Sequence, residues 1–418
     1  MTLPRLLTGV TQSPMPWDRH LQVHGDPGTN QRPEELLAHI KRSGVRGRGG
    51  GSFPLATKMQ AVRRSRGTPI LLVNGCEGEP MSAKDRLLMV CLPHLVIDGA
   101  LAVARAIGAD EILFAVDELN LRAGETVQWA LAQRPELRGS GTLPEIVWTP
   151  GGLVSGQESA LVRWCNEGIA KPVAVPPRVT ERGINRRPTL VANVETLAHV
   201  ALIARHGGDW FHRLGTAEDP GSALVTVTGA VRHPGVYEIA LGSSLRTLLG
   251  SAGGLTEPVR AFLVGGYAGA WIDATEASTA RLTRRELSEL GTRLGAGILV
   301  ALPGSACPVA ETTRVAGWLA DQTAGQCGPC VNGLASIADE LADVGEGSAG
   351  PDALGRLQRW CELATGRGAC AHPDGTAAFV ASALRVFSVE FLDHMHHGPC
   401  DACGVPPVLA VPGRLTAA

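Results

Sequence analysis

Apolar positions along the chain fall into short continuous runs and longer helical stripes, in alternation. Residues 69–75, Pro-Ile-Leu-Leu-Val-Asn-Gly, read as a short buried strand that ends in a turn, and residues 111–116, Glu-Ile-Leu-Phe-Ala-Val, read as a second one. Between them residues 92–107 carry a helical period, and residues 33–44 form an earlier helix that runs into a glycine-rich loop. Strand, helix, strand in that order predicts a parallel α/β layer. Further on, 158–166 and 194–206 read as helices, and the Pro- and Arg-rich stretch 172–188 as a surface loop.

The pattern then changes. From Ala223 the chain reads Ala-Leu-Val-Thr-Val-Thr-Gly-Ala-Val, a turn at His233-Pro234-Gly235, a second strand, a short helix at 244–251 and a strand at 261–266. That order predicts a small β-grasp-like unit inserted in the chain. From about residue 283 helical periods dominate, over 315–323, 331–344, 352–365 and 376–394, and their lengths suit a bundle with cysteines at the helix ends. The Pro-rich residues 404–418 read as a mobile tail.

With 418 residues, 44% of them hydrophobic, the chain can bury a large core divided among two or three domains. A net charge of −2 offers no basic surplus for nucleic acid or anionic lipid. No apolar run approaches the roughly 20 residues that span a bilayer, and residues 1–10 lack a full signal-peptide pattern, so the expectation is a cytoplasmic protein. Ten cysteines, several near the C-terminus, fit a reducing compartment in which thiols serve metals. Cys91 and Cys165, in apolar helical stretches, read as core residues.

Two segments carry chemistry. Gly47-Arg-Gly-Gly-Gly-Ser-Phe-Pro54, with Lys58 just beyond, can bring backbone N–H groups close to an anionic cofactor because no Cβ blocks the approach. Cys327-Gly-Pro-Cys330 is a tight thiolate pair suited to a soft metal or an iron–sulfur cluster. Together they point to electron transfer from an organic cofactor to an inorganic one.

These segments belong to a longer ordered series: Gly44 to Pro54, Asn74-Gly-Cys-Glu-Gly-Glu-Pro80, Lys84-Asp85-Arg86, Leu92-Pro93-His94, Gly156-Gln-Glu158, Asn193-Val-Glu-Thr196, Leu290-Gly291 to Gly295, Cys327-Gly-Pro-Cys330 and Cys370-Ala371. In this series the chain resembles the flavoprotein subunit of respiratory complex I and of related NAD-linked hydrogenases and formate dehydrogenases. The resemblance implies an α/β fold with a Rossmann-like FMN domain (35–215), an inserted β-grasp SLBB module (220–276) and a C-terminal four-helix bundle with an iron–sulfur site (283–395), flanked by an N-terminal segment (1–34) and a tail (396–418). It implies that Gly47, Arg48, Gly49, Gly50, Phe53 and Lys58 contact FMN, that Asn74, Glu77 and Asn193 face the flavin, and that Glu79, Gly156 and Glu158 serve the nicotinamide nucleotide. Cys327, Cys330 and Cys370 would ligate a 4Fe–4S cluster. NADH is then the substrate. The implied partners are other redox subunits, such as a thioredoxin-like 2Fe–2S subunit, ferredoxin or a multi-cluster subunit, and any membrane association runs through them.

Departures from the family pattern keep alternatives open. The family's first cluster cysteine is Ala324 here. An exchangeable or three-iron cluster, a substitute ligand, or loss of the cluster would each follow, with Cys307, Cys361, His372 and the group His394, His396, His397, Cys400, Cys403 as substitutes. The spacing His-X-His-His-X-X-Cys-X-X-Cys also suits zinc or iron by itself, against a flexible His-rich tail. Cys76 and Gln157 replace acidic residues of the family, and Val175-Pro-Pro-Arg178 replaces its Lys-Pro-Pro-Phe segment. Three functions stay open: NADH-oxidising electron input through FMN, a flavin and iron–sulfur module exchanging electrons with ferredoxin without NADH, and a non-catalytic assembly subunit.

Overall fold

The computed structural model describes residues 3–27, 31–137, 143–174 and 177–412. The chain folds as two compact units: residues 1–78, 83–225 and 238–243 form the first, and 79–82, 226–237 and 244–418 the second. Val175 and Pro176 of the departing segment lie outside the described residues.

Four short strands build the sheet of the first unit: β1 (Ile70–Asn74), β2 (Glu111–Asp117), β3 (Glu145–Thr149) and β4 (Thr189–Asn193). All pairs are parallel and the order is β3-β2-β1-β4. Ile70, Leu71, Leu72 and Val73 are fully buried, as a central strand covered on both faces requires. The chain steps outward from β1 to β2 and β3, then returns to place β4 on the other side of β1. That reversal is a topological switch point, and in open parallel sheets the ligand crevice lies outside the carboxyl ends of the strands there.

The strands at 69–75 and 111–116 appear where the apolar pattern put them, while β3 and β4 do not stand out in it. β4 is five residues long and runs directly into the helix Val194–His206, so its apolar positions merge with the helical stripe. The expected helix at 92–107 is one of a pair, Lys84–Cys91 and Pro93–Ile107, bent sharply at Leu92. Proline at the first helical position of the second starts a new helix there. Cys165 packs against the buried cluster of Ile70, Leu72 and Leu161.

β5 (Ser222–Gly229) carries the chain from the first unit into the second. With β6 (Gly235–Ala240), β7 (Val259–Val264), β8 (Ala270–Asp273) and β9 (Ile298–Pro303) it makes a mixed sheet ordered β6-β5-β9-β7-β8. The middle strand, β9, comes from residues beyond the expected end of the β-grasp module at 276. It is parallel to β5 and antiparallel to β7.

The bundle helices are Pro308–Asp321, Ala335–Glu346, Ala353–Ala364 and His372–Val386, and the stripe read as 376–394 breaks after Val386 into a further helix, Ser388–His397. Sheet and helices in this unit share a core. Trp271 of β8 is fully buried, its ring meets Phe379 and Phe387, and its backbone N–H donates to Ser382 Oγ at 3.0 Å. Part of the expected tail is docked: Val408 and Leu409 donate backbone N–H groups to the Glu311 carboxylate at 2.7 and 3.0 Å, Leu409 is buried, and the Tyr267 hydroxyl donates to the Ala410 carbonyl. Glu311, fixed in the first turn of its helix, supplies two acceptors that a Pro-rich stretch without secondary structure needs for its own N–H groups. No single helix among the described residues is long and apolar enough to cross a membrane.

Candidate cofactor sites

Asn74 and Asn193 end β1 and β4 and are partners in register, so both side chains stand at the switch point. Each one fixes a loop. Asn74 Oδ1 accepts from the Cys76 N–H at 3.0 Å while its Nδ2 donates to the Gly156 carbonyl at 2.9 Å. Asn193 caps the helix Val194–His206 by accepting from the Glu195 N–H, and its Nδ2 donates to Asp85 at 2.7 Å.

The glycine loop lies beside Asn193: a Cβ on Gly49 would stand 3.3 Å from Asn193 Cβ. The loop closes on itself through Gly47 N–H to the Phe53 carbonyl at 2.9 Å and Arg46 Nε to the Ser52 carbonyl at 2.7 Å. Gly50 has φ +96°, a conformation glycine adopts without strain, and Ser52 takes φ 47°. Space is open where side chains on Gly50 and Gly51 would stand, which leaves that backbone approachable by an anionic group. Phe53 is 56% exposed at the loop's end. Lys58, on the helix Leu55–Arg64, donates to the Val191 carbonyl at 2.8 Å and pairs with Glu158 at 2.9 Å. The structure thus brings together the glycine loop, Lys58, Asn74, Gly156, Glu158 and Asn193.

Two further implied residues are engaged by backbone N–H groups. Both Glu77 oxygens accept the first N–H groups of the helix Lys84–Cys91, from Asp85 and Arg86, so this carboxylate caps a helix. Glu79 belongs to the second unit, where it is buried and accepts the Tyr267 N–H at 2.9 Å. Burial pushes its carboxyl up to about 7.

Beneath the loop lies an ion cluster. Lys84 pairs with Asp85 at 2.6 Å and Glu195 at 2.9 Å, all buried. Burial alone would raise Glu195, but Lys84, His199 and Arg48 bring it down to about 2. Burial dominates at Asp85 and takes it up to about 7. Glu195 also accepts the Leu224 N–H, and Thr196 Oγ1 accepts the Arg48 N–H at 2.9 Å. Arg48 itself bonds the Ser222 carbonyl at 2.8 Å. Glu195 and Thr196 anchor the loop from behind, a role only the Asn193-Val-Glu-Thr motif hinted at.

The substituted positions have local explanations. Gln157 caps the helix Glu158–Glu167, its Oε1 accepting from Ser159 and Ala160 N–H groups. Cys76 sits 3.1 Å from Thr149 Oγ1, and burial pushes its thiol up to about 12, so a neutral group stands in this position. Arg178 is exposed.

In the second unit, Cys330 lies in a π-helical turn, Pro329–Leu334, a local widening that recurs at functional sites. Burial pushes its thiol up to about 12, opposed by a hydrogen bond with Thr323, while Cys327 and Cys370 act on it as neighbouring thiols. Ala324 follows Thr323, so the missing cysteine falls beside this trio. Of the named substitutes, His372 spends Nε2 on the Leu319 carbonyl at 2.9 Å. Cys307, His394, Cys400 and Cys403 gather with one another instead. Three thiols with one position unfilled suit three corners of a cubane cluster.

A parallel sheet with a glycine-rich ligand loop at its switch point, in one chain with a cysteine trio, defines a redox protein with an organic and an inorganic cofactor site. Residues 40–202 match the Nuo51 FMN-binding domain family, 224–266 the SLBB domain, and 310–394 the NADH-ubiquinone oxidoreductase-F iron-sulfur binding region. The NADH-quinone oxidoreductase F 2 subunit of Rhizobium meliloti is 33% identical over 383 residues, covering 88% of this chain and 90% of that protein. The corresponding F subunit of Escherichia coli is 30% identical over 378 residues, covering 87% and 85%. A crystal structure of an air-oxidized NAD+-reducing [NiFe]-hydrogenase superposes with a TM-score of 0.84 at 28% identity, covering 97% of this chain and 69% of that one. The chain belongs to the family of NADH-quinone oxidoreductase F subunits, and it is a flavin-dependent oxidoreductase with an FMN domain and a 4Fe–4S region.

Proposed function

We propose that this chain is the electron-input subunit of a multi-subunit redox complex, taking hydride from NADH at FMN and delivering electrons through iron and sulfur to a partner subunit. The observation that carries this reading is the alignment of Asn74 and Asn193 at the switch point beside a glycine loop with open space over Gly50 and Gly51. When bound, FMN accepts an electron pair from a nicotinamide and releases electrons singly. Gly47 to Phe53 bring backbone N–H groups to the cofactor, and Lys58 adds positive charge while tied to Glu158. Asn74 and Asn193 hold the loops in place, and Cys327, Cys330 and Cys370 hold the iron. Glu158, at the half-buried start of its helix, serves the nucleotide. The acceptor is another redox subunit of the same complex.

The test is anaerobic reconstitution with FMN followed by addition of micromolar NADH. Bleaching of the flavin band, and dye reduction that depends on NADH, are expected. A flavin that binds but is bleached by reduced ferredoxin and not by NADH overturns the nicotinamide half of the reading. Protein that takes up no flavin overturns the whole.

A further inference from the structure

Away from the cysteine trio, four donors converge on one point. Cys307 Sγ lies 3.5 Å from His394 Nε2 and 3.5 Å from Cys403 Sγ. Cys403 Sγ lies 3.8 Å from Cys400 Sγ and 3.9 Å from His394 Nε2. All four ligand atoms fall within 4.8 Å of one another. A tetrahedral zinc ion with Zn–S of about 2.3 Å and Zn–N of about 2.05 Å separates its sulfurs by about 3.8 Å and sulfur from nitrogen by about 3.6 Å. The observed spacings are those of a single ion. A cubane cluster places each thiolate on a different iron and spreads them wider.

We propose that Cys307, His394, Cys400 and Cys403 form a structural zinc site of the Cys3His type. The donors are already oriented for it. Cys307 caps the start of the helix Pro308–Asp321, where its Sγ accepts the Ala310 N–H at 3.3 Å. His394 is buried near the end of the helix Ser388–His397, and its Nδ1 meets the Gly345 carbonyl at 3.3 Å, which holds the ring with Nε2 toward the sulfurs. Cys400 and Cys403 flank a tight turn closed by Cys403 N–H to the Cys400 carbonyl at 2.9 Å, the Cys-X-X-Cys geometry that binds zinc. Cys400 is exposed, so the ion has a way in. Zinc binding displaces the thiol protons to solvent and clips the residues after the last helix to the start of the first bundle helix. No redox step is involved, and the site stands whether or not the flavin reading does.

Metal content decides it. Protein purified without added metal or affinity-tag metal, then passed through a weak chelator, is expected to hold one zinc per chain besides its iron. Cys400→Ala, at an exposed position that leaves the fold intact, and His394→Ala lose that zinc while iron and flavin content stay at wild-type levels. Cys330→Ala does the reverse, losing iron and keeping zinc. Cobalt replacing the zinc shows a thiolate charge-transfer band and intense tetrahedral d–d bands that Cys400→Ala weakens. Wild-type protein without zinc, zinc that survives Cys400→Ala, or iron in place of zinc at this group overturns the proposal.

Discussion

Gly78 shows how little room the flavin-side loops leave. A Cβ there would stand 2.4 Å from the Gly152 carbonyl oxygen and 2.9 Å from Leu153 Cα, both backbone atoms that cannot swing away. Gly78→Ala should therefore cost about 1–3 kcal/mol of stability in urea unfolding and weaken FMN retention, because it forces the segment after Asn74 off the one carrying Gly156. Glu79 makes a pH prediction. Its carboxyl is raised by burial to about 7, above the ordinary value near 4.3 that it has when unfolded. Between those values the folded state holds a proton that the unfolded state has lost, so stability falls as pH rises from about 4.3 to 7. Glu79→Gln keeps an acceptor for the Tyr267 N–H and removes the ionisation. The variant should gain stability over wild type at pH 8, with the gain shrinking toward pH 5; a gap that does not change with pH would refute the assignment. At this scale the glycine loop was legible from residue type, Asn74 and Asn193 only through the family resemblance, and their meeting in register not at all. The capping role of Glu77 was not, because a carboxylate's partners eight and nine residues away depend on how the intervening chain turns.

Among the elements, the short turn around Cys330 concentrates the departure from the family. Thr323 already bonds the Cys330 thiol, and Ala324 follows it. Ala324→Cys should supply a fourth thiolate: iron content after aerobic gel filtration rises toward four per chain, and the dithionite-reduced protein gives a stronger low-temperature paramagnetic signal. No change in iron retention would mean the cluster is completed elsewhere. The bundle helices were visible as helical stripes, but the break at Phe387 inside the stripe 376–394 was not, nor was the helix Lys84–Cys91 ahead of the one expected from residue 92. Apolar periodicity continues across a sharp bend when both halves are buried, so the pattern reads two helices as one.

For the whole molecule, the N-terminal residues are secured to the first unit by Asp98. Its carboxylate meets His20 at 2.7 Å, Arg134 at 2.6 Å and Arg205 more closely still, with all four side chains almost fully buried. Burial opposes the charge on Asp98, but His20 and the two guanidinium groups prevail and hold it well below the usual carboxylate range. Asp98→Ala would leave two buried guanidinium groups without their shared partner and should cost about 3–5 kcal/mol, read from the urea midpoint. None of these residues is near another in sequence, and only the folded chain reveals the cluster.

Residue identity and order alone determined the family, the glycine-rich loop, the thiolate pair and the alanine in place of a further cysteine, because those depend on residue chemistry at short spacing. Tertiary structure alone decided the strand order that makes a switch point, the entry of β9 between β5 and β7, and the meeting of Cys307 with His394, Cys400 and Cys403. Those are contacts between distant segments, set by which apolar faces bury one another, and local pattern carries no record of them.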